Sequence, residues 1–531
     1  MRKEPVFKLR RIRFTEEGTV TKYFLRKGEI HMKTLSSKYY GENGIHRVPL
    51  WRIALFALNN TSTNLYMFLM NYVAYYLGGW VGVGTVMAGS FSMMMRIWDG
   101  VTDPFVGFMV DKTNGKFGKN RPFMVIGNVV LAITSFILFH VTHHLPMVAR
   151  FPFFIVISAL YYMGYTAQCV VTKSAQTCLT NDPKQRPLFT IFDGIYNTVL
   201  FTVLAVVAAN LGEKYGGFTS DPAVFHELWV MFAVMSAICM VLAVIAIAPK
   251  DRQEFFGTGQ VVKVGLKDYW DTLKNNRAIQ MLVVSAGTDK LAMQMKGNSV
   301  MMIVLCGLVI GDYALSGTLQ GLIAIPTTLL MILGVGGLAT RLGQRKAMII
   351  GSWGGIITNA LLIVLWLFGD YKSMSAGDGK IGWGFFAIAY VVLNILLGGF
   401  TGISGNIVIP MTADCADYEV YRTGKYVPGL MGTLFSFVDK LISSLAPMLV
   451  SIAFAAIGFT DTLPDLKHAD MLAGNPDLLQ TTFVTTLMLL YGSVVIGNLC
   501  NVLALKFYPL TKEKMEEIQA EIAAIKAKNN A

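Results

Sequence analysis

Twelve long apolar runs leave this chain few choices of fold. They lie near residues 52–77, 84–110, 122–141, 152–179, 188–212, 226–248, 278–309, 316–340, 346–368, 383–410, 428–459 and 481–508. Each is long enough to cross a hydrocarbon core as a helix, which takes roughly 20 residues. Charged residues make up only 15% of the 531 positions, against 54% apolar, whereas a soluble chain carries about 25% charge. So little charge cannot coat a soluble globule, which excludes a cytosolic enzyme. The expected fold is an all-α membrane protein of twelve transmembrane helices, with the lipid bilayer as its first partner.

The basic residues orient it. Connections after even-numbered runs carry 17 Lys and Arg, from Lys112 to Lys425, against 5 after odd-numbered runs. Positive loops stay on the cytoplasmic side, so both termini are expected there too, in a multi-pass protein of the cell membrane. The formal net charge of +12 is thereby a topology signal, and no nucleic-acid partner is expected. Residues 1–51 read as a basic cytoplasmic tail suited to anionic lipid, with KLRRIRF at 8–14 and either Met1 or Met32 as the start. Residues 52–248 and 278–508 read as two six-helix bundles, 249–277 as a cytoplasmic linker and 509–531 as a cytoplasmic tail.

The two halves repeat. GFMVDKTNGKFGKNRPFMVIG (107–127) follows the second run and GGLATRLGQRKAMIIG (336–351) the eighth, with Gly118 and Gly343 lying 225 residues apart. Parallel six-helix repeats with such a loop are the pattern of the major facilitator fold. The six cysteines show no CxxC spacing or pairing, so neither a disulfide framework nor a zinc site is supported. His140, His143 and His144 close one run and read as residues of a membrane–water interface. There is no phosphate loop and no nucleophile elbow, and the chain reads as a non-enzyme with no cofactor beyond a coupling ion.

Charges inside membrane helices cost at least about 2.5–3.5 kcal/mol each and need a partner or a function. In RIWDGVTDP (96–104), Asp99 and Asp103 stand four apart on one helical face, with Arg96 a turn earlier. Two converging carboxylates suit Na⁺, Li⁺ or a shared proton; an Arg–Asp pair holding helices together is the alternative. Lys173, Asp193, Asp289, Lys290, Lys296 and Asp439–Lys440 add charges on other helices. Lys296 reads equally as a group snorkelling to water.

RIWDGVTDP, followed by GKNRPF (118–123) and, in the second half, DCADYEVYRTG (414–424), resembles the glycoside–pentoside–hexuronide:cation symporter family (melibiose-carrier-like, within the major facilitator superfamily) from about residue 50 to about 460. The resemblance implies that Asp99 and Asp103 bind the cation with Thr166, and that Thr102 stands where the family has an asparagine. It places Lys440 close to both cation and sugar, and Arg96, Asp414 and Asp417 in coupling and gating. The sugar positions depart from the family: Asn59 and Cys169 replace aspartates, Lys173 a tryptophan and Asp193 an arginine.

A cation-coupled (Na⁺ or H⁺) symport of a sugar, glycoside or hexuronide by a monomer is therefore the leading expectation. Tyr66, Trp98 and Tyr165 are the candidates for stacking on the sugar, and Asn59, Gln168 and Lys173 for hydrogen bonds to it. Lys173 is expected either to pair with Asp193 or to meet a substrate carboxylate. The alternatives are a lipid-like or other non-sugar cargo, for which the 29 methionines could line an adaptable cavity, and a transport-inactive membrane sensor.

Overall fold

The computed structural model describes residues 13–14, 20–26, 29–35 and 46–530, apart from 114, 116, 181, 183–184, 253–273, 335–337, 339 and 424–439. Among the described residues a helix falls on each apolar run: α1 Leu50–Met70, α2 Thr85–Lys112, α3 Arg121–His144, α4 Met147–Ser174, α5 Arg186–Lys214, α6 Ala223–Ile247, α7 Arg277–Lys296, α8 Ala314–Gly334, α9 Gln344–Phe368, α10 Phe385–Thr423, α11 Lys440–Ala456 and α12 Pro476–Lys506. Helix starts follow proline. Pro49, Pro146 and Pro222 precede α1, α4 and α6, and Pro122, Pro187 and Pro476 sit in the first turns of α3, α5 and α12, where a missing N–H costs nothing.

By length and apolarity, eight of these helices qualify as membrane spans, or nine if α7 and its continuation Val300–Ile310, bent by 47°, form one span. The expected count of twelve crossings is therefore not established. For two of the helices that fall short the reason is physical: α1 carries Asn59, Asn60, Thr61, Ser62, Thr63 and Asn64 in succession and α2 carries its charges, while the first part of the α11 run lies outside the described residues. A second departure is the N-terminal tail, where β1 (Arg13–Phe14), β2 (Val20–Arg26) and β3 (Glu29–Leu35) form an antiparallel sheet with Tyr23 opposite Met32.

Two bundles repeat one plan. α1 packs on α5 and α6, and α7 on α12; α2 meets α11 and α5 meets α8 across the halves. Each first helix runs on through π-helical turns, Leu77–Val81 and Ile303–Ile310, and stops at a left-handed glycine, Gly82 or Gly311. Each bundle also holds a buried polar triad on its first, third and sixth helices. Asn128 donates to Ser62 (2.8 Å) and Ser236 (2.7 Å); Ser285 donates to Asn501, which donates to Ser352 (2.8 Å). A satisfied buried amide fixes helix register in an apolar core.

The GKNRPF loop is built round a carboxylate missed in the sequence. Asp251, buried just after α6, accepts the backbone N–H groups of Lys119 (3.1 Å), Asn120 (3.0 Å) and Arg121 (2.9 Å) and the Asn120 side chain (3.0 Å). It thereby caps the start of α3. Gly118 is left-handed (φ 86°), and a Cβ there would collide with Asp251. Asp251→Ala strands three backbone N–H donors and should cost about 3 kcal/mol. The detergent-solubilised variant is expected to melt several degrees below wild type; an unchanged midpoint would contradict the capping role.

Candidate functional site

The dicarboxylate of α2 is the centre of the site. Asp99 is buried and Asp103, a turn on, is half-exposed. Thr166 of α4 donates its hydroxyl to Asp99 Oδ1 (2.7 Å); Thr102 donates to the Asp99 backbone carbonyl (3.1 Å) and lies 3.4 Å from the Thr166 hydroxyl. Lys440 of α11 closes the cluster from the other bundle. Its Nζ donates to Asp103 Oδ2 at 2.6 Å and lies 3.3 Å from Asp99 Oδ2. Four residues implied by the family resemblance thus meet at one point, and one ammonium bridges two carboxylates across the bundle interface. The Arg96 side chain and Asp439 lie outside the described residues.

The expected sugar ligands do not converge. Asp193 accepts from Asn60 (2.7 Å), one turn from a second α1–α5 contact in which Asn64 donates to Asn197 (2.8 Å). Lys173 is exposed, and among the described residues it makes no ion pair with Asp193. The expected internal pair is therefore not formed: a neutral amide on α1 lies nearer to Asp193 than the ammonium on α4. Asn59 is buried and donates to Thr172 (2.7 Å), and Gln168 donates to the Met124 carbonyl (2.6 Å), holding α4 to α3. Tyr66 is buried in the core, Tyr165 packs edge-on to Tyr162, and Trp98 is exposed with its indole N–H on the Ala159 carbonyl.

The acidic pair of α10 meets a helix to which the sequence assigned no chemistry. Asp417 accepts from Gln519 (2.6 Å) of α13 (Lys512–Asn530), and Asp414 lines a cavity of about 460 Å³ with Arg345, Lys512 and Gln519. At the opposite end of the molecule, where the connections after odd-numbered helices lie, the bundles are tied together. Asp465, after α11, is buried and accepts from Phe218 N (3.2 Å), Thr219 N (2.8 Å) and the Thr219 hydroxyl (2.5 Å), after α5. Tyr75 donates to the Pro464 carbonyl (3.0 Å) and Thr85 N to the Thr460 carbonyl (2.8 Å). Contacts about 250 residues apart in sequence leave no local signal by which Asp465 could have been found.

Two helix bundles joined round a buried charge cluster define a membrane carrier of the major facilitator fold. The chain belongs to the MFS/sugar transport protein family, whose model matches residues 60–512. It is 24% identical to the glucuronide carrier protein homolog of Escherichia coli (strain K12), over 89% of this chain and 95% of the relative. It is likewise 24% identical to the isoprimeverose transporter of Lactiplantibacillus pentosus, over 78% of this chain and 82% of the relative. Among solved structures, the nucleoside transporter NupG superposes with a TM-score of 0.56 at 14% identity, covering 87% of this chain and all of that one.

Proposed function

We propose that this protein is a monomeric cation-coupled symporter of the cell membrane that imports a small sugar, glycoside or hexuronide by alternating access. The observation that carries the reading is Lys440 seated on both Asp99 and Asp103. Two carboxylates and one ammonium leave the cluster one negative charge in excess, which a Na⁺, a Li⁺ or a proton balances while competing with the lysine for the same oxygens. Because the lysine belongs to the second bundle, ion binding biases how the bundles meet, which is the differential contact that coupling requires. The relatives' names, a glucuronide carrier and an isoprimeverose transporter, support a sugar cargo.

With the odd-numbered connections outside and both termini in the cytoplasm, the Asp465 ties close the outer face. Asp417, tethered to α13, and Asp414, lining the cavity beside it, then belong to the cytoplasmic gate. Uptake of labelled sugars into membrane vesicles under imposed Na⁺, Li⁺ or pH gradients tests the reading. One of the gradients should drive accumulation of a sugar or glycoside; a full panel concentrated under none of them would overturn it.

A further inference from the structure

A second charge in the interior has no role in the cation cluster. Lys296 ends α7 at the 47° break, and its side chain lines a cavity of about 510 Å³ between the two bundles. The sequence left it equally readable as a snorkelling group, but the structure turns it to this cavity. Lys296 is the cavity's one charged lining residue, and it makes no ion pair among the described residues. An ammonium in that setting is costly until an anion meets it. The remaining wall suits a small polyhydroxylated molecule. Asn71, Gln320 and Asn394 offer amide donors and acceptors, and Tyr313 and Tyr390 offer ring edges and faces.

The cavity also lies near the cation cluster. A smaller neighbour of about 130 Å³ shares Asn71, Asn298 and Ser299 with it. That neighbour reaches Ser443 and Ser444, one turn beyond Lys440, and Tyr162, one turn before Thr166. The break in α7, at Gly297–Ser299, therefore lines both cavities.

We infer that this cavity is the cargo site and that Lys296, rather than Lys173, binds a carboxylate on the cargo, so that the protein selects acidic sugars over neutral ones. The inference rests on the symport reading and narrows its substrate class. A charge-assisted hydrogen bond of this kind changes affinity roughly 10- to 100-fold.

Methyl β-D-glucuronide, its methyl ester and methyl β-D-glucoside form a matched set for testing it, with binding measured on the purified full chain in the presence of the coupling cation. Wild type should bind the acid at least about 10-fold more tightly than the ester or the glucoside. In Lys296→Met that ratio should collapse towards one, Lys296→Arg should restore most of it, and Lys173→Met should leave it in place. Should the Lys296 variants fail to fold, Gln320→Glu adds a carboxylate to the same cavity wall and should lower the ratio. An acid preference absent from wild type, surviving Lys296→Met, or abolished by Lys173→Met instead would overturn the assignment while leaving symport intact. Wild type that accumulates no sugar under any cation gradient would sink the symport reading and this one with it.

Discussion

Asp99→Asn is expected to abolish cation-driven accumulation, bringing the ratio of internal to external sugar to about one, while the protein still inserts and still equilibrates sugar down its gradient. The buried Asp99 carboxylate is held by the Thr166 hydroxyl on one oxygen and faces Lys440 with the other. Neutralising it removes one of the two anions a cation needs, and the remaining Asp103–Lys440 pair at 2.6 Å is already charge-balanced. Cation affinity should fall roughly 10- to 100-fold or more, the scale of losing a charged partner. Asp103→Asn should also uncouple the carrier, less completely, because Asp103 is 37% exposed against 1% for Asp99 and water replaces part of what it supplies. Vesicle uptake under a cation gradient checks both; a variant that still concentrates sugar would remove its carboxylate from the coupling site.

The second large effect is expected at the other end of the molecule. Asp465→Ala should shift the population towards the form open at the odd-numbered connections. The lost carboxylate accepts two backbone N–H groups and one hydroxyl from the opposite bundle. Removing hydrogen bonds to a buried charge costs about 2–4 kcal/mol, a change of roughly 30- to 1,000-fold in the balance of two states. A cysteine placed at Ser316, which lines the interbundle cavity, should react with an impermeant maleimide from outside far faster in the Asp465→Ala background. Equal rates in the two backgrounds would mean that Asp465 does not hold the face closed.

Acid should act in the same direction. His468 Nδ1 accepts the Asp465 N–H (3.0 Å), which only neutral imidazole can do. Burial, then Lys467 beside it, hold His468 below its ordinary value of about 6.5, against the opposing pull of Asp465. The contribution is fully present above that ordinary value and is lost as pH falls through the depressed one. Labelling should therefore rise below about pH 6.5 in a background that keeps Asp465, and less so without it.

Much of this was legible before any coordinates. Long apolar runs can bury their backbone in lipid only as helices, so the helices fell where the runs do, and the two basic loops announced the repeat. Asp99 and Asp103 were legible because charges four apart share a helical face, and Thr166 and Lys440 only through the resemblance to the symporter family. What failed was everything that depends on which of several polar neighbours lies nearest. Lys173 and Asp193 look like partners in sequence because their signs are opposite, yet Asn60 reaches Asp193 first. Gln168 and Trp98 have the chemistry of sugar ligands, but the backbone carbonyls of Met124 and Ala159 engage them. Asp251 and Asp465 read as ordinary loop acids, and only the fold brings backbone N–H groups round them. Lys296 needed the bend in α7 to distinguish a cavity from a water-facing end.

The central claim is that cation and sugar report to each other through the Asp99–Asp103–Lys440 cluster. Equilibrium binding on the purified carrier tests it most directly, by measuring sugar affinity with and without saturating cation and cation affinity with and without saturating sugar. The account predicts that each ligand raises the affinity of the other by the same factor, as linkage requires, and that Asp99→Asn brings both factors to one. Sugar binding of equal strength with and without Na⁺, Li⁺ or a change of pH would contradict it.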